Sequence, residues 1–248
     1  GAPEATGHKV IALPSTDGRL SLNQIAECYY NHWNDHSHEH TVQPGMVYLS
    51  CPAENGLIYS KAELTAISEF CHQHGLYLFV DGARLGYALS SPATDVTLKD
   101  LARLCDVFYI GGTKCGAMFG EAVVMRKGLV PHFFTIIKQQ GALLAKGWML
   151  GLQFDTLFTD GLYLKIARHA ISEATRLREG LVAKGYKNYS TSPTNQIFLL
   201  LSPEELENLK QVTTFTEWDR LPDGNTIIRL ATSWATRSED VDELIEML

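Results

Sequence analysis

Nowhere in these 248 residues does an unbroken apolar run approach the roughly 18–20 residues that cross a bilayer, which excludes a membrane-spanning helix of ordinary length. Basic charge is scarce as well. The 21 Lys and Arg stand against 28 Asp and Glu, a net charge of −7. The chain therefore lacks the positive field that draws proteins to nucleic acid or to anionic membranes. It has no Cys-x-x-Cys pair. Its five cysteines (Cys28, Cys51, Cys71, Cys105 and Cys115) are odd in number and widely scattered. That excludes a disulfide framework and predicts thiols in a reducing compartment, the cytoplasm being the expected location. The opening GAPEATGHKV has neither a basic n-region nor an apolar h-region, so no signal peptide is read there. Also missing are a Gly-x-Ser-x-Gly elbow, a Gly-x-Gly-x-x-Gly fingerprint, a P-loop and a His-Glu-x-x-His pair.

What is present alternates. Lys9–Leu13 reads as a short strand and Ser15-Thr16-Asp17-Gly18 as a turn. Ser21 with Gln24 forms a capping-box pattern before a helix whose apolar face is Leu22, Ile25, Ala26, Tyr29, Tyr30 and Trp33. After the polar loop Asn34–Gln43 come a strand, Met46–Ser50, and a second capping-box helix from Ser60 to about His74, stopped by Gly75. Two β-branched and aromatic runs follow, Leu76–Val80 and Val107–Ile110, with a helix at Leu98–Leu104 between them, and then a strand at Ala122–Met125. This is the pattern of a mainly parallel α/β sheet flanked by helices. From Pro131 to about Lys184 the chain reads as helical, broken near Asp160-Gly161. Strands at Gln196–Leu201 and Thr226–Leu230 then surround a helix at Pro203–Leu209. A last helix, Ser238–Leu248, opens on a Ser-Glu-Asp cap. The expected division is a large domain, 1–160, and a small C-terminal α+β domain, 161–248.

The central strand–helix–strand unit carries the chemistry. Its first strand ends in Asp81-Gly82-Ala83-Arg84 and its second in Gly111-Gly112-Thr113-Lys114. In an open parallel sheet both carboxyl ends lie on the edge where ligands bind, so an acid and an amine face one crevice. Lys114 is flanked by Gly, Thr, Cys, Ala and Met. This setting predicts partial desolvation, which favours the neutral, nucleophilic amine needed for Schiff-base chemistry. Asp81 needs a cationic or hydrogen-bonding partner. Either it caps the next turn and pairs with Arg84, or it meets a protonated ring nitrogen, as the acidic partner does in pyridoxal phosphate (PLP) enzymes. Arg229, within an apolar strand, suits either a substrate carboxylate or a structural ion pair. His32, His36, His38 and His40 are dense enough to consider a metal. Without a paired Cys set they read as a polar surface loop, and no metal is expected.

Four stretches carry a resemblance: VDGARLGYAL (Val80–Leu89), FYIGGTKCGAMFGEA (Phe108–Ala122), MVYLSCPAENGLIYS (Met46–Ser60) and RLATSWATRSEDVDELI (Arg229–Ile245). Through them nearly the whole chain, in order, resembles the low-specificity threonine aldolase group of the aromatic amino acid β-eliminating lyase/threonine aldolase family. Its members are fold-type I PLP enzymes, a fold shared with aspartate aminotransferase. The resemblance implies that Lys114 anchors PLP as a Schiff base and that Asp81 pairs with its ring nitrogen. Arg84 would contact the cofactor or the substrate carboxylate, and Arg229 would hold that carboxylate. Lys138, in IIKQQG, falls roughly where the family has a second active-site lysine.

The implied reaction cleaves the Cα–Cβ bond of threonine, allo-threonine or another β-hydroxy-α-amino acid to glycine and an aldehyde. The implied partners are this small-molecule substrate and further copies of the chain, as a homodimer or homotetramer with a shared site. Members of the family run about a hundred residues longer at the N-terminus, where the phosphate cradle and a ring-stacking histidine lie. The sequence is therefore expected to be a fragment of a longer parent or a degraded homologue. The other readings are a β-eliminating lyase of the same family, a non-catalytic dimerisation or binding remnant, and a cofactor-independent Schiff-base aldolase using Lys114.

Overall fold

The computed structural model of the chain describes residues 1–15 and 17–248. It opens on a single helical turn, α1 (Ala2–Ala5), followed by α2 (Leu22–Trp33), β1 (Met46–Ser50), α3 (Lys61–Gln73) and β2 (Tyr77–Asp81). Next come α4 (Leu85–Ser90), α5 (Leu98–Leu104), β3 (Val107–Gly111) and β4 (Glu121–Met125). Strands β1, β2 and β3 are parallel neighbours and β4 closes the sheet antiparallel to β3. Both capping boxes read from the sequence form: Ser21 and Ser60 each accept from the backbone N–H three residues on, and Gln24 and Glu63 reach back.

One face of this sheet makes the core. Val47, Leu49, Leu78, Val80, Phe108 and Ile110 are buried together with Leu64, Ile67 and Leu101 from α3 and α5. Full burial of a Leu or Val contributes about 1.5–3 kcal/mol, so this layer fixes which way each strand faces. The alternate positions, Met46, Tyr48, Tyr77 and Val123, stay exposed.

The expected helical stretch from Pro131 resolves into α6 (Phe133–Gln139), α7 (Trp148–Phe158) and α8 (Leu162–Ala183). Asp160 and Gly161, both with positive φ, separate α7 from α8. One stripe of α8 serves two cores: Tyr163, Ala167 and Ala170 join the first, and Ala174, Leu177 and Leu181 join the second. The second core backs an antiparallel sheet in the order β5-β6-β8-β7. Its strands are β5 (Lys187–Asn188), β6 (Gln196–Leu201), β7 (Thr216–Arg220) and β8 (Thr226–Ala231). Helices α9 (Pro203–Val212) and α10 (Ser238–Met247) complete this half.

Two expectations need correction, and one strand was not foreseen. Lys9–Leu13 is not a strand: its residues are mostly exposed, and among the described residues no strand pairs with them in a ladder. Ser238 does not cap α10. Arg237 stands at the cap position without a side-chain capping bond, and the Ser238 hydroxyl instead donates to Glu173 Oε1 at 2.8 Å. Strand β7, whose residues TEWDR are all exposed, lacks the apolar alternation that marks a strand, and the sequence reading passed over it. Of the predicted turn, Thr16 lies outside the described residues, while the Ser15 hydroxyl donates to Arg19 O at 2.6 Å across it.

Candidate active site

The parallel order sets the ends of β2 and β3 side by side. Asp81 closes β2, Gly111 closes β3, and Lys114 follows in the next turn. Two glycines let the chain segments touch. Gly111 N–H donates to Gly82 O at 2.8 Å. A Cβ on Gly82 would lie 1.9 Å from Tyr109 O, and one on Gly111 would lie 2.2 Å from Ala83 O. Any larger residue would push the acid's turn away from the lysine's loop.

Asp81 is half-buried and hydrogen-bonded on both oxygens. Tyr48 O–H donates to Oδ2, and Ala83 N–H donates to Oδ1 at 3.0 Å. Burial first, then the Asp81 carboxylate, push the phenols of Tyr48 and Tyr109 far above their ordinary range, so both remain protonated at neutral pH. Tyr48 stacks on Phe79 at 5.1 Å and an interplanar angle of 7°. The acid thus sits at the rim of an aromatic strip. The local Asp81–Arg84 ion pair is not formed. The arginines in ion pairs, among the described residues, are Arg19, Arg103, Arg126, Arg176, Arg220 and Arg237.

Lys114 is exposed, which corrects the expected desolvation: its apolar neighbours Cys115 and Ala117 turn inward and leave the amine outside. The loop itself is tied down through its backbone. Tyr87 O–H donates to Lys114 O. The Tyr163 hydroxyl donates to Gly111 O at 2.8 Å and accepts from Gly86 N–H at 3.0 Å, bridging the lysine's loop to the helix that follows the acid. Glu121 clamps the loop's other side, accepting from Gly112 N–H at 2.7 Å and from the Thr113 hydroxyl at 3.3 Å. Tyr163→Phe keeps the ring but leaves a buried N–H and a buried C=O unpaired. It is expected to destabilise the fold by about 1–3 kcal/mol, read as a lower urea midpoint at unchanged slope.

The second sheet approaches this edge through the loop after β1. Ser192 Oγ donates to Gly56 O at 3.3 Å, Ser190 Oγ donates to Asn55 O at 3.2 Å, and Arg178 secures the partner loop by donating to Ser192 O at 2.8 Å. Arg229, on β8, lies close enough to Arg84 and Glu54 to feel both charges. Burial first and Arg84 second press its guanidinium below the ordinary arginine range. It donates to Gln196 Oε1 at 3.3 Å and lies 5.2 Å from the Trp218 ring centre. Asp81 and Lys114 thus follow the ends of neighbouring strands, Arg84 lies in the acid's turn, Arg229 lies near Arg84, and neither arginine forms an ion pair among the described residues.

Lys138 stands apart, exposed on α6 and without a side-chain bond to any of these four. A cavity of about 690 Å³ is lined by Phe215, Thr216, Thr232 and Val241 among others; it reaches Arg229 but neither Asp81 nor Lys114. Of the clustered histidines, His32 at the end of α2 bonds the Thr41 hydroxyl and His38 bonds Asp35 O. Among the described residues no three metal-binding side chains gather. The sequence reading missed Tyr48, Tyr163, Glu121 and Gln196. Only Tyr48 carried a signal, as an outward position in an alternating strand.

Comparison with known proteins gives a consistent set of relatives. A family model described as beta-eliminating lyase matches residues 1–202. The low specificity L-threonine aldolase of Pseudomonas sp. (strain NCIMB 10558) is 32% identical over 256 residues, covering 98% of this chain and 70% of the relative. The solved structure of Leishmania major threonine aldolase superposes with a TM-score of 0.93 at 45% identity, covering 99% of this chain and 71% of that one. Thermus thermophilus aspartate aminotransferase shares the fold alone, with a TM-score of 0.59 at 18% identity over 82% of this chain and 56% of its own.

Proposed function

Because the chain belongs to the beta-eliminating lyase family, we propose that it is a PLP-dependent aldehyde-lyase. Its substrates are threonine or allo-threonine and other β-hydroxy-α-amino acids, which it cleaves between Cα and Cβ to glycine and an aldehyde. The observation that supports this reading is that Asp81 and Lys114 follow the ends of neighbouring parallel strands, with Arg84 in the acid's turn and Arg229 near Arg84, neither arginine in an ion pair among the described residues.

The donor set suits the cofactor. Asp81 is an acid with both oxygens oriented by hydrogen bonds, Lys114 is an exposed primary amine, and Gly82 and Gly111 let the acid's turn pack directly on the start of the lysine's loop. When bound, PLP supplies the sink for the electron pair left at Cα. Lys114 anchors the cofactor aldehyde covalently. Asp81, steadied by Tyr48 and Ala83, holds a proton on the ring nitrogen. Arg229 and Arg84 grip the substrate's α-carboxylate and so set which bond at Cα stands ready to break.

A homodimer or homotetramer with a shared site fits the apolar side chains left exposed in the lysine's loop (Met118), on α6 (Phe134) and on α7 (Trp148). Five free thiols fit a reducing cytoplasm, and no helix among the described residues is long and apolar enough to cross a membrane.

The test is product analysis of the purified, PLP-supplemented protein. Threonine is expected to yield equimolar glycine and acetaldehyde. Pyruvate and ammonia from serine, cysteine or aromatic amino acids, without glycine from threonine, would replace this reading with that of a β-eliminating lyase.

A further inference from the structure

Gln196, the first residue of β6, has no exposed surface. Its Oε1 accepts from Arg229 at 3.3 Å, while its Nε2 has no partner. The amide cannot be turned round to cure this, because Nε2–H would then face the guanidinium's own N–H donors. The orphan is thus a real, oriented donor next to Arg229. Trp218 covers one face of that guanidinium, its ring centre 5.2 Å away, and is itself braced edge-on against Phe198 at 5.2 Å. Arg229 is therefore held on a face and at one edge, and its remaining N–H groups and the neighbouring Gln196 Nε2–H have no acceptor among the described residues. A carboxylate accepts up to about four hydrogen bonds and is the acceptor such a set lacks.

We propose that Gln196 is a substrate-positioning residue, fixing the Arg229 fork through Oε1 and donating its Nε2–H to the same α-carboxylate. The inference rests on the reading of Arg229 as the group that holds that carboxylate. It goes beyond it by assigning a second donor, on the neighbouring strand, that selects for a carboxylate over an uncharged group.

Calorimetric titration of the PLP-loaded protein with glycine and with ethanolamine separates the two statements, since ethanolamine carries the amine without the carboxylate. In Gln196→Met the Kd for glycine is expected to rise about 10–100-fold, the scale of one hydrogen bond to a charged acceptor. The Kd for ethanolamine should stay unchanged, and the KM for threonine should rise with kcat held within about threefold. Gln196→Glu has the same shape and keeps an acceptor for Arg229 but no donor. It serves if the Met variant does not fold, and it should weaken glycine at least as much. Unchanged glycine binding in the variant that folds, or equal weakening of glycine and ethanolamine, overturns the assignment of Gln196. Arg229→Met distinguishes the two levels. If it leaves the glycine Kd untouched, the reading of Arg229 falls and that of Gln196 with it. If it weakens glycine while Gln196→Met does not, only the Gln196 assignment is lost.

Discussion

Lys114→Ala is expected to abolish covalent attachment of PLP and to lower threonine cleavage by about 10³-fold or more, within the range removed when a group that carries both covalent and proton-transfer chemistry is lost. The substitution should be clean. The Lys114 side chain is exposed, and its loop is held through main-chain groups: Tyr87 on Lys114 O, Tyr163 on Gly111 O and Glu121 on Gly112 N–H. Deleting the side chain leaves those bonds in place, so stability should stay within about 0.5 kcal/mol, as for other exposed positions. Borohydride reduction followed by peptide mass spectrometry reads the result directly. The wild type should carry a reduced pyridoxyl group on residue 114, and the variant should carry none. Lys114→Arg keeps the positive charge without a nucleophilic amine and should behave like the alanine variant. Equal fixation of the cofactor in wild type and Lys114→Ala would remove Lys114 from its role.

That Asp81 and Lys114 follow neighbouring strand ends was legible because both come after short apolar strands, and parallel topology brings successive strand ends to one edge. The α/β class follows from the same alternation, whereas the fold-type I assignment came from the resemblance carried by motifs such as VDGARLGYAL; both are the fold of the chain. What could not be read depended on contacts between distant residues. Tyr163 lies 52 residues from the carbonyl it holds, and Gln196 lies 33 residues from Arg229. No local pattern announces either bond. The expected desolvation of Lys114 failed for a related reason: neighbours in sequence on an irregular loop point in different directions, so Cys115 is buried while Lys114 is not. Lys9–Leu13 has strand-forming residues, but a strand exists only through its ladder, and composition says nothing of whether a partner is present. Strand β7 shows the converse. An exposed, charged edge pairs along β8 because β8 offers it a partner, whatever its own propensity.

Asp81→Asn should separate cofactor binding from catalysis, which Lys114→Ala cannot do. Asparagine keeps the shape of the side chain, and its Oδ1 can still accept from Ala83 N–H, the bond now made at 3.0 Å. Its amide loses the negative charge, however, and Tyr48, protonated at neutral pH, must turn its hydroxyl from donating to accepting. The turn after β2 should therefore stay folded against Gly111 while the ring nitrogen loses the group that holds its proton. An unprotonated pyridine withdraws electrons poorly, so kcat for threonine is expected to fall by about 10²–10⁴-fold, the range for losing a positioned acid–base partner. Borohydride fixation on Lys114 should persist in this variant, although more added cofactor is needed to saturate it. Loss of turnover with retained fixation is a pattern that general misfolding does not produce, because misfolding removes both. Turnover within about threefold of wild type would show that Asp81 does not face the ring nitrogen. The strand-end acid would then be explained by its bonds to Tyr48 and Ala83 alone.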